Sequence, residues 1–164
     1  MKQVIILGSP GSGKSYFGSR LCEITGIPLY HLDLLWWNPD RTHVERDVFD
    51  QRLAEIIDND VWIIEGDYSR TYETRVRNCD TIVFLDFSVQ QCLEGLKDRI
   101  GKVRDDIPFI DYEINEEMHE AVIEYPDYKR PLIMELMEKY DEKDWFVFKN
   151  REEVENWLES LERE

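Results

Sequence analysis

Residues Gly8-Ser9-Pro10-Gly11-Ser12-Gly13-Lys14-Ser15 match G-x-x-x-x-G-K-[ST] at every fixed position. These residue types at this spacing hold phosphate. Glycines let the backbone turn tightly with its N–H groups pointing inward, where they cradle phosphate oxygens. A helix opening at the end of the loop adds partial positive charge. Lys14 reaches β- and γ-phosphates, and the Ser15 hydroxyl ligates Mg²⁺. Three of the chain's eight glycines fall in these eight residues, more than an ordinary strand-to-helix turn uses. Tyr16 follows, at the position where a second hydroxyl residue commonly approaches an α-phosphate.

Three carboxylates, Asp33, Glu65 and Asp86, each come at or near the end of an apolar run. In a parallel α/β sheet the ligand crevice lies beyond the carboxyl ends of the strands, so all three are candidates for it. One carboxylate is needed near Ser15 to orient Mg²⁺ or its waters. Glu65 is favoured, because Gly66 beside it lets a substrate approach the backbone closely; Asp86 is the alternative. Asp33 is either a base or hydroxyl anchor for a phosphoryl acceptor, or a turn aspartate. Residues 34–39, with Trp36 and Trp37, either wall an acceptor pocket or pack against the following helix.

Two basic groups stand out. Arg70, Arg75 and Arg77 follow the run that ends at Glu65. Lys97, Arg99, Lys102 and Arg104 fall within eight residues around Gly101. Phosphoryl transfer needs cations over the transferring group, and a mobile loop brings arginines in while excluding water. Residues 99–108, bounded by Gly101 and Pro108, read as such a lid carrying Arg99 and Arg104. The competing reading is a basic last helical turn that complements the helix dipole. Arg70 is a candidate substrate contact, whereas Arg75 and Arg77 suit a solvated helix face equally well. His31, His43 and His119 form no metal-ligand spacing with the cysteines and read as ordinary histidines.

These side chains need a frame. Val4-Ile5-Ile6-Leu7 is a continuous apolar run ending at Gly8, as a strand buried on both faces reads. A helix over 14–25 follows, with Gly26 as its C′ residue. Further strands are predicted over 29–33, 61–64, 82–85 and 145–148. Helices are predicted over 43–58, opened by a Thr42-x-x-Glu45 capping box, and over 70–78, with Ser69 as N-cap. Another follows from Val89 to Ile100, and a last one is opened by Asn150-x-x-Glu153. Residues 109–143 are very acidic, and Pro126 and Pro131 interrupt their helical pattern. Alternating strands and helices of this kind predict a parallel sheet with helices on both faces.

The 164 residues suit one domain, and the 42% apolar content is enough for a core. The net charge of −16 is concentrated in residues 105–164. Such a surface repels a phosphate backbone and disfavours nucleic-acid binding, while a local basic cluster still admits small anions. No apolar run approaches the roughly 20 residues that span a bilayer, and the start is too short for a signal segment. Cys22, Cys79 and Cys92 show no CxxC spacing, so buried free thiols in a reducing cytoplasm are expected.

Taken together, strand–GSPGSGKS–helix, the strand before Asp33, Trp62-Ile63-Ile64-Glu65-Gly66-Asp67-Tyr68 and Phe84-Leu85-Asp86 resemble small P-loop kinases of the adenylate kinase and shikimate kinase type. Tyr30-His31-Leu32-Asp33-Leu34-Leu35-Trp36-Trp37 and residues 62–68 most resemble the adenylate-kinase-related proteins labelled DNA topology modulation or FlaR-like. The likeness covers residues 2–106. It implies a three-layer α/β/α P-loop NTP hydrolase fold with a five-stranded parallel sheet in the order 2-3-1-4-5. It also implies ATP and Mg²⁺, a single kinase-like domain over 1–164, an acceptor region at 34–60 and a lid at 99–108. Carried over by residue, Gly8–Ser15 match the phosphate loop, Asp33 the acceptor-anchoring aspartate, Glu65-Gly66 the carboxylate–glycine pair, and Arg99 and Arg104 the lid arginines. Ser69 stands where adenylate kinases carry an arginine, and the shikimate kinase glycine triplet is absent. The implied activity is transfer of the γ-phosphoryl of ATP to a small-molecule or nucleotide-like acceptor by a monomer or homodimer. A nucleotide-binding regulatory protein with slow NTPase activity, linked to nucleic acid, is the alternative.

Overall fold

A computed structural model describes residues 1–163. Its elements are β1 (Gln3–Gly8), α1 (Lys14–Thr25), β2 (Leu29–His31), α2 (Leu32–Trp36), α3 (Arg46–Ile57), β3 (Trp62–Glu65), a 3₁₀ turn (Ser69–Thr71), α4 (Tyr72–Asn78), β4 (Thr81–Leu85), α5 (Val89–Arg99), α6 (Glu116–Tyr128), α7 (Arg130–Lys139), β5 (Asp144–Phe148) and α8 (Arg151–Glu162). The five strands form one parallel sheet in the order β2-β3-β1-β4-β5. That is the order the sequence resemblance implies.

Side chains alternate across a strand, and β1 feeds two cores accordingly. Ile5 and Leu7 join Ile64, Ile82 and Phe84 under Phe49 and Leu53 of α3, Val76 of α4, and Ile133 and Leu136 of α7. Val4 and Ile6 join Ile63, Val83 and Leu85 under Phe17 and Leu21 of α1, and Val154 and Leu158 of α8. Helices on both faces therefore bury a sheet whose central strands are continuous apolar runs. A smaller cluster of Cys92, Leu96 and Val122 joins α5 to α6.

Several boundaries differ from the sequence expectation, each for a local reason. β2 stops at His31, and Asp33 lies in the first turn of α2 rather than closing the strand. The helix expected from residue 43 begins at Arg46. Thr42 does not cap it, because its hydroxyl bonds Asp40 and Asn38 while Val44 N–H bonds the Trp36 carbonyl in a loop closed by a Trp37–His43 bridge. Ser69 begins a 3₁₀ turn and its hydroxyl pairs with Lys129 instead of capping α4. Asn150 caps α8 as expected, accepting from Glu153 N–H at 2.9 Å.

Residues 109–143 contain two helices. Pro131 sits in the first turn of α7, where its missing N–H has no intrahelical bond to lose. Pro126 lies near the end of α6. Both helices pack on the core through Val122, Tyr125, Ile133 and Leu136. All three cysteines are free; Cys79 and Cys92 are buried, and burial pushes the Cys79 thiol up to about 12. Among the described residues no helix is long and apolar enough to cross a membrane.

Candidate active site

The phosphate loop joins the C-terminal end of β1, the central strand, to the first turn of α1. Gly13, the N-cap of α1, has φ 92°, a left-handed conformation that suits glycine, and a Cβ added there would meet nothing within 4 Å. Lys14 Nζ donates to the Ser9 carbonyl at 3.0 Å, so the ammonium is folded back over its own loop. Ser12 Oγ is buried with no hydrogen-bond partner among the described residues. The backbones of Gly11 and Gly95 touch so closely that a Cβ on either would collide with the other segment. This contact holds α5 against the loop. Arg99 lies four residues beyond Gly95, on the same helix face, and its Nε is buried without a partner among the described residues. Burial, and then the neighbouring Arg104 charge, push the Arg99 pKa down.

Ser15 stands at the centre. Its Oγ lies 2.6 Å from Asp106 Oδ2 and 3.2 Å from Glu65 Oε1. A hydroxyl has one proton, so it can donate to only one of the two carboxylates at a time. His31 Nδ1 lies 2.6 Å from Glu65 Oε1. Burial draws the His31 pKa down, but the Glu65 contact and the surrounding carboxylates raise it overall. Asp106 is bound by both arms of Arg104, at 2.7 and 3.0 Å. Burial raises its pKa, yet Arg104 and Ser15 hold it below the usual carboxylate value. This hydroxyl with two converging carboxylates fits Mg²⁺, which takes oxygen ligands from one or two carboxylates and fills its remaining positions with water and phosphate.

The opposite wall carries Asp33. Tyr68 donates to its Oδ1 at 2.7 Å. Burial, and then the charge of Glu65, raise the Asp33 carboxyl to about 6, against the opposing pull of the Tyr68 bond and Lys14. Trp36 stacks on His43 (centroids 4.3 Å, planes 7° apart) and meets Phe49 edge-on. Residues 66–68 are held from below by Arg75, whose side chain is fully buried. Its guanidinium donates to the Gly66 carbonyl and Thr71 Oγ1, both at 3.0 Å, and to the Asp67 carbonyl.

The segment after α5 closes over the cavity by ion pairs. Arg104 reaches Asp111 at 3.5 Å, Arg41 reaches it at 3.1 Å, and Gly101 N–H bonds its carbonyl at 2.7 Å. The Arg41 guanidinium also lies 4.2 Å from the Phe109 ring centroid, and Phe109 meets Trp37 edge-on.

One cavity of about 860 Å³ joins both walls and is lined by Lys14, Ser15, Tyr16, Asp33, Trp36, Glu65, Gly66, Arg99 and Arg104, together with Pro10, Gly11 and Gly13. Two candidates beyond the phosphate loop lie outside it. Arg70 is spent on Asp50 at 2.7 and 3.1 Å on an exposed surface, so the expectation that it contacts substrate is corrected. Asp86 pairs with Arg130 and Lys149, which hold its pKa down against burial. Glu65 is therefore the strand-end carboxylate within reach of Ser15. Gly8, Ser9 and Ser12 shape the loop without lining the cavity.

Sequence reading missed several residues that line the cavity or support its wall. His31, read as ordinary, touches Glu65; its place two residues before Asp33, at the end of β2, was the available signal. Arg75, left open as a solvated residue, is buried. Asp111 sat within a general acidic excess that carried no local signal and Arg41 had none, while Asp106 and Tyr68 fell inside the segments 99–108 and 62–68 without being singled out.

No family model and no curated protein matches the sequence. Among solved structures the fold is similar to a shikimate kinase from Bacteroides thetaiotaomicron, with 15% identity, TM-score 0.59, and 98% of this chain and 96% of that chain covered. It is similar to a shikimate kinase from Acinetobacter baumannii in complex with shikimate, with 16% identity, TM-score 0.60, and 98% and 91% covered. It is also similar to a deoxyadenosine kinase from M. mycoides with the products dCMP and dCDP, with 15% identity, TM-score 0.51, and 98% and 99% covered. The chain thus has a P-loop kinase fold. None of these neighbours is a FlaR-like protein.

Proposed function

We infer that the chain is an ATP-dependent phosphotransferase that moves the γ-phosphoryl of ATP to a hydroxyl of a small acceptor. The reading rests on one observation: Lys14 and Ser15 of the phosphate loop share a single cavity with Asp33 and Glu65. The loop amides and Lys14 bind the β- and γ-phosphates, and Tyr16 lies at the outer end of the loop. Ser15 and Glu65, with Asp106, would hold Mg²⁺, which when bound neutralises charge on the phosphates. Asp33, oriented by Tyr68, accepts the acceptor's hydroxyl proton. The acceptor oxygen bonds to the γ-phosphorus, the bond from that phosphorus to the bridging oxygen breaks, and ADP leaves with those electrons. Arg99 and Arg104, on a lid over residues 99–108, cover the transferring group once Asp106 releases Arg104. Trp36 and residues 34–60 contain the acceptor wall, with Gly66 giving close backbone approach.

The test is ADP release by the purified protein with ATP and Mg²⁺, alone and with pooled small alcohols, beside Lys14→Ala. Acceptor-stimulated release that disappears in the variant is the expected result. Tight ATP binding with no stimulation by any pool would refute the reading.

A further inference from the structure

His31 closes β2 and is also the N-cap residue of α2, so its backbone is fixed by a strand on one side and a helix on the other. In the sheet it is the register partner of Glu65, the last residue of β3. Register partners on adjacent parallel strands turn their side chains to the same face. The imidazole and the Glu65 carboxylate therefore stand side by side, and both line the cavity.

Glu65 is buried, and a buried carboxylate needs donors. Among the described residues only Ser15 and His31 donate to it, both to Oε1, at 3.2 and 2.6 Å. Asp106, at 2.6 Å, competes for the single proton of Ser15. The neighbouring cations are engaged elsewhere: Lys14 with the Ser9 carbonyl, Arg104 with Asp106, and Arg75 with Thr71 and the backbone of residues 66–68. The imidazole N–H has no second acceptor among the described residues. An ionised carboxylate only accepts, so Nδ1 carries the proton.

We propose, resting on the reading that Ser15 and Glu65 hold Mg²⁺, that His31 is a positioning residue for the metal. Its Nδ1–H fixes the rotation of the Glu65 carboxylate, keeping Oε1 beside Ser15 and leaving Oε2 for the ion or one of its waters. His31 is not itself a ligand. Among the described residues no three His, Cys, Asp or Glu side chains form a group that could hold an ion. The metal thus relies on few protein oxygens, and the orientation of each one counts. Partners that orient a ligand in this way commonly contribute tenfold or more in metal affinity.

The test compares binding of a non-hydrolysable ATP analogue with and without Mn²⁺, by titration calorimetry. The ratio of the two affinities is the metal's contribution. His31→Ala is expected to lower that ratio about tenfold and to leave metal-free binding unchanged. His31→Asn, whose amide N–H stands in for Nδ1–H, is expected to recover most of the loss. An unchanged ratio in His31→Ala, equal loss in both variants, or equal loss with and without Mn²⁺ would overturn the proposal.

Should His31→Ala not fold, nitrogen-15 NMR of the unsubstituted protein decides. A His31 Nδ1–H signal that persists with Mg²⁺ and the analogue supports the positioning role, and its loss overturns it. Neither measurement involves an acceptor, so failure of every alcohol to stimulate ADP release would refute phosphotransfer and leave both readouts standing. Analogue binding by the unsubstituted protein that is no tighter with Mn²⁺ would remove the metal site, and the proposal with it.

Discussion

The two walls of the cavity are built on different principles. The phosphate-loop wall is mostly backbone: eight consecutive residues between one strand and one helix, pinned by the touching glycines Gly11 and Gly95. The acceptor wall is mostly side chains brought together by contacts between distant segments, such as Arg41 with Asp111 and Tyr68 with Asp33. Backbone held by local geometry binds what every nucleotide has in common. Side chains assembled over long separations set what is particular to one reaction. The first kind of site tolerates drift in the surrounding sequence, whereas the second changes with single substitutions.

That contrast can be broken by experiment, and the largest effect is expected at the loop. Lys14→Ala should lower acceptor-dependent turnover by about a thousandfold, the scale for removing a preorganised charge from a transition state. The fold should survive, since Lys14 Nζ makes one hydrogen bond, within its own loop. Far-ultraviolet circular dichroism and turnover together check both halves.

Asp33→Asn is next. Removal of a general base should cost about a hundredfold or more in kcat. The wild-type rate should rise with pH through about 6 and then level, because burial and Glu65 hold the carboxyl protonated below that pH. The asparagine variant should lack this limb. The stability prediction has the opposite sign. The folded-state pKa is raised, so Asp33 favours folding fully below the unfolded carboxylate pKa near 3.8, and that contribution is lost as pH rises through about 6. Urea melts at pH 4 and 7 should show a drop in stability with pH that is smaller in Asp33→Asn.

Arg75→Ala tests whether the acceptor wall depends on its buried support. Loss of a buried guanidinium leaves the Gly66 and Asp67 carbonyls unpaired and opens a void, a cost of about 3 kcal/mol in urea denaturation. Arg70→Ala should change stability by about 0.5 kcal/mol and leave turnover unaltered, because its pair with Asp50 is exposed. An Arg70 effect on kcat as large as that of Asp33 would erase the proposed boundary of the acceptor wall.

Legibility in the sequence followed the same division. The strands and the loop were readable because continuous apolar runs ending at Gly8, Glu65 and Asp86 read as buried strands and the loop motif is contiguous, whereas the strand order rested on the family resemblance. The end of β2 was not, because Leu32 and Asp33 continue the strand pattern while Leu32 turns under Gly66. Residues 109–143 resisted because Pro126 and Pro131 look like helix breakers, although one sits near a helix end and the other in a first turn. Asp106 shows the limit most clearly. Its partner Ser15 lies 91 residues away, and no local pattern distinguishes it from Asp105 beside it.

Transfer of label from γ-³²P-ATP tests the central claim, that the two walls form one phosphotransfer site. The purified protein is incubated with Mg²⁺ and a pool of small alcohols, and products are separated into inorganic phosphate and acid-stable esters. The account predicts label in an ester, absent with Lys14→Ala and reduced about a hundredfold or more with Asp33→Asn. Label appearing only as inorganic phosphate, at a rate indifferent to the alcohols and to Asp33, would contradict it.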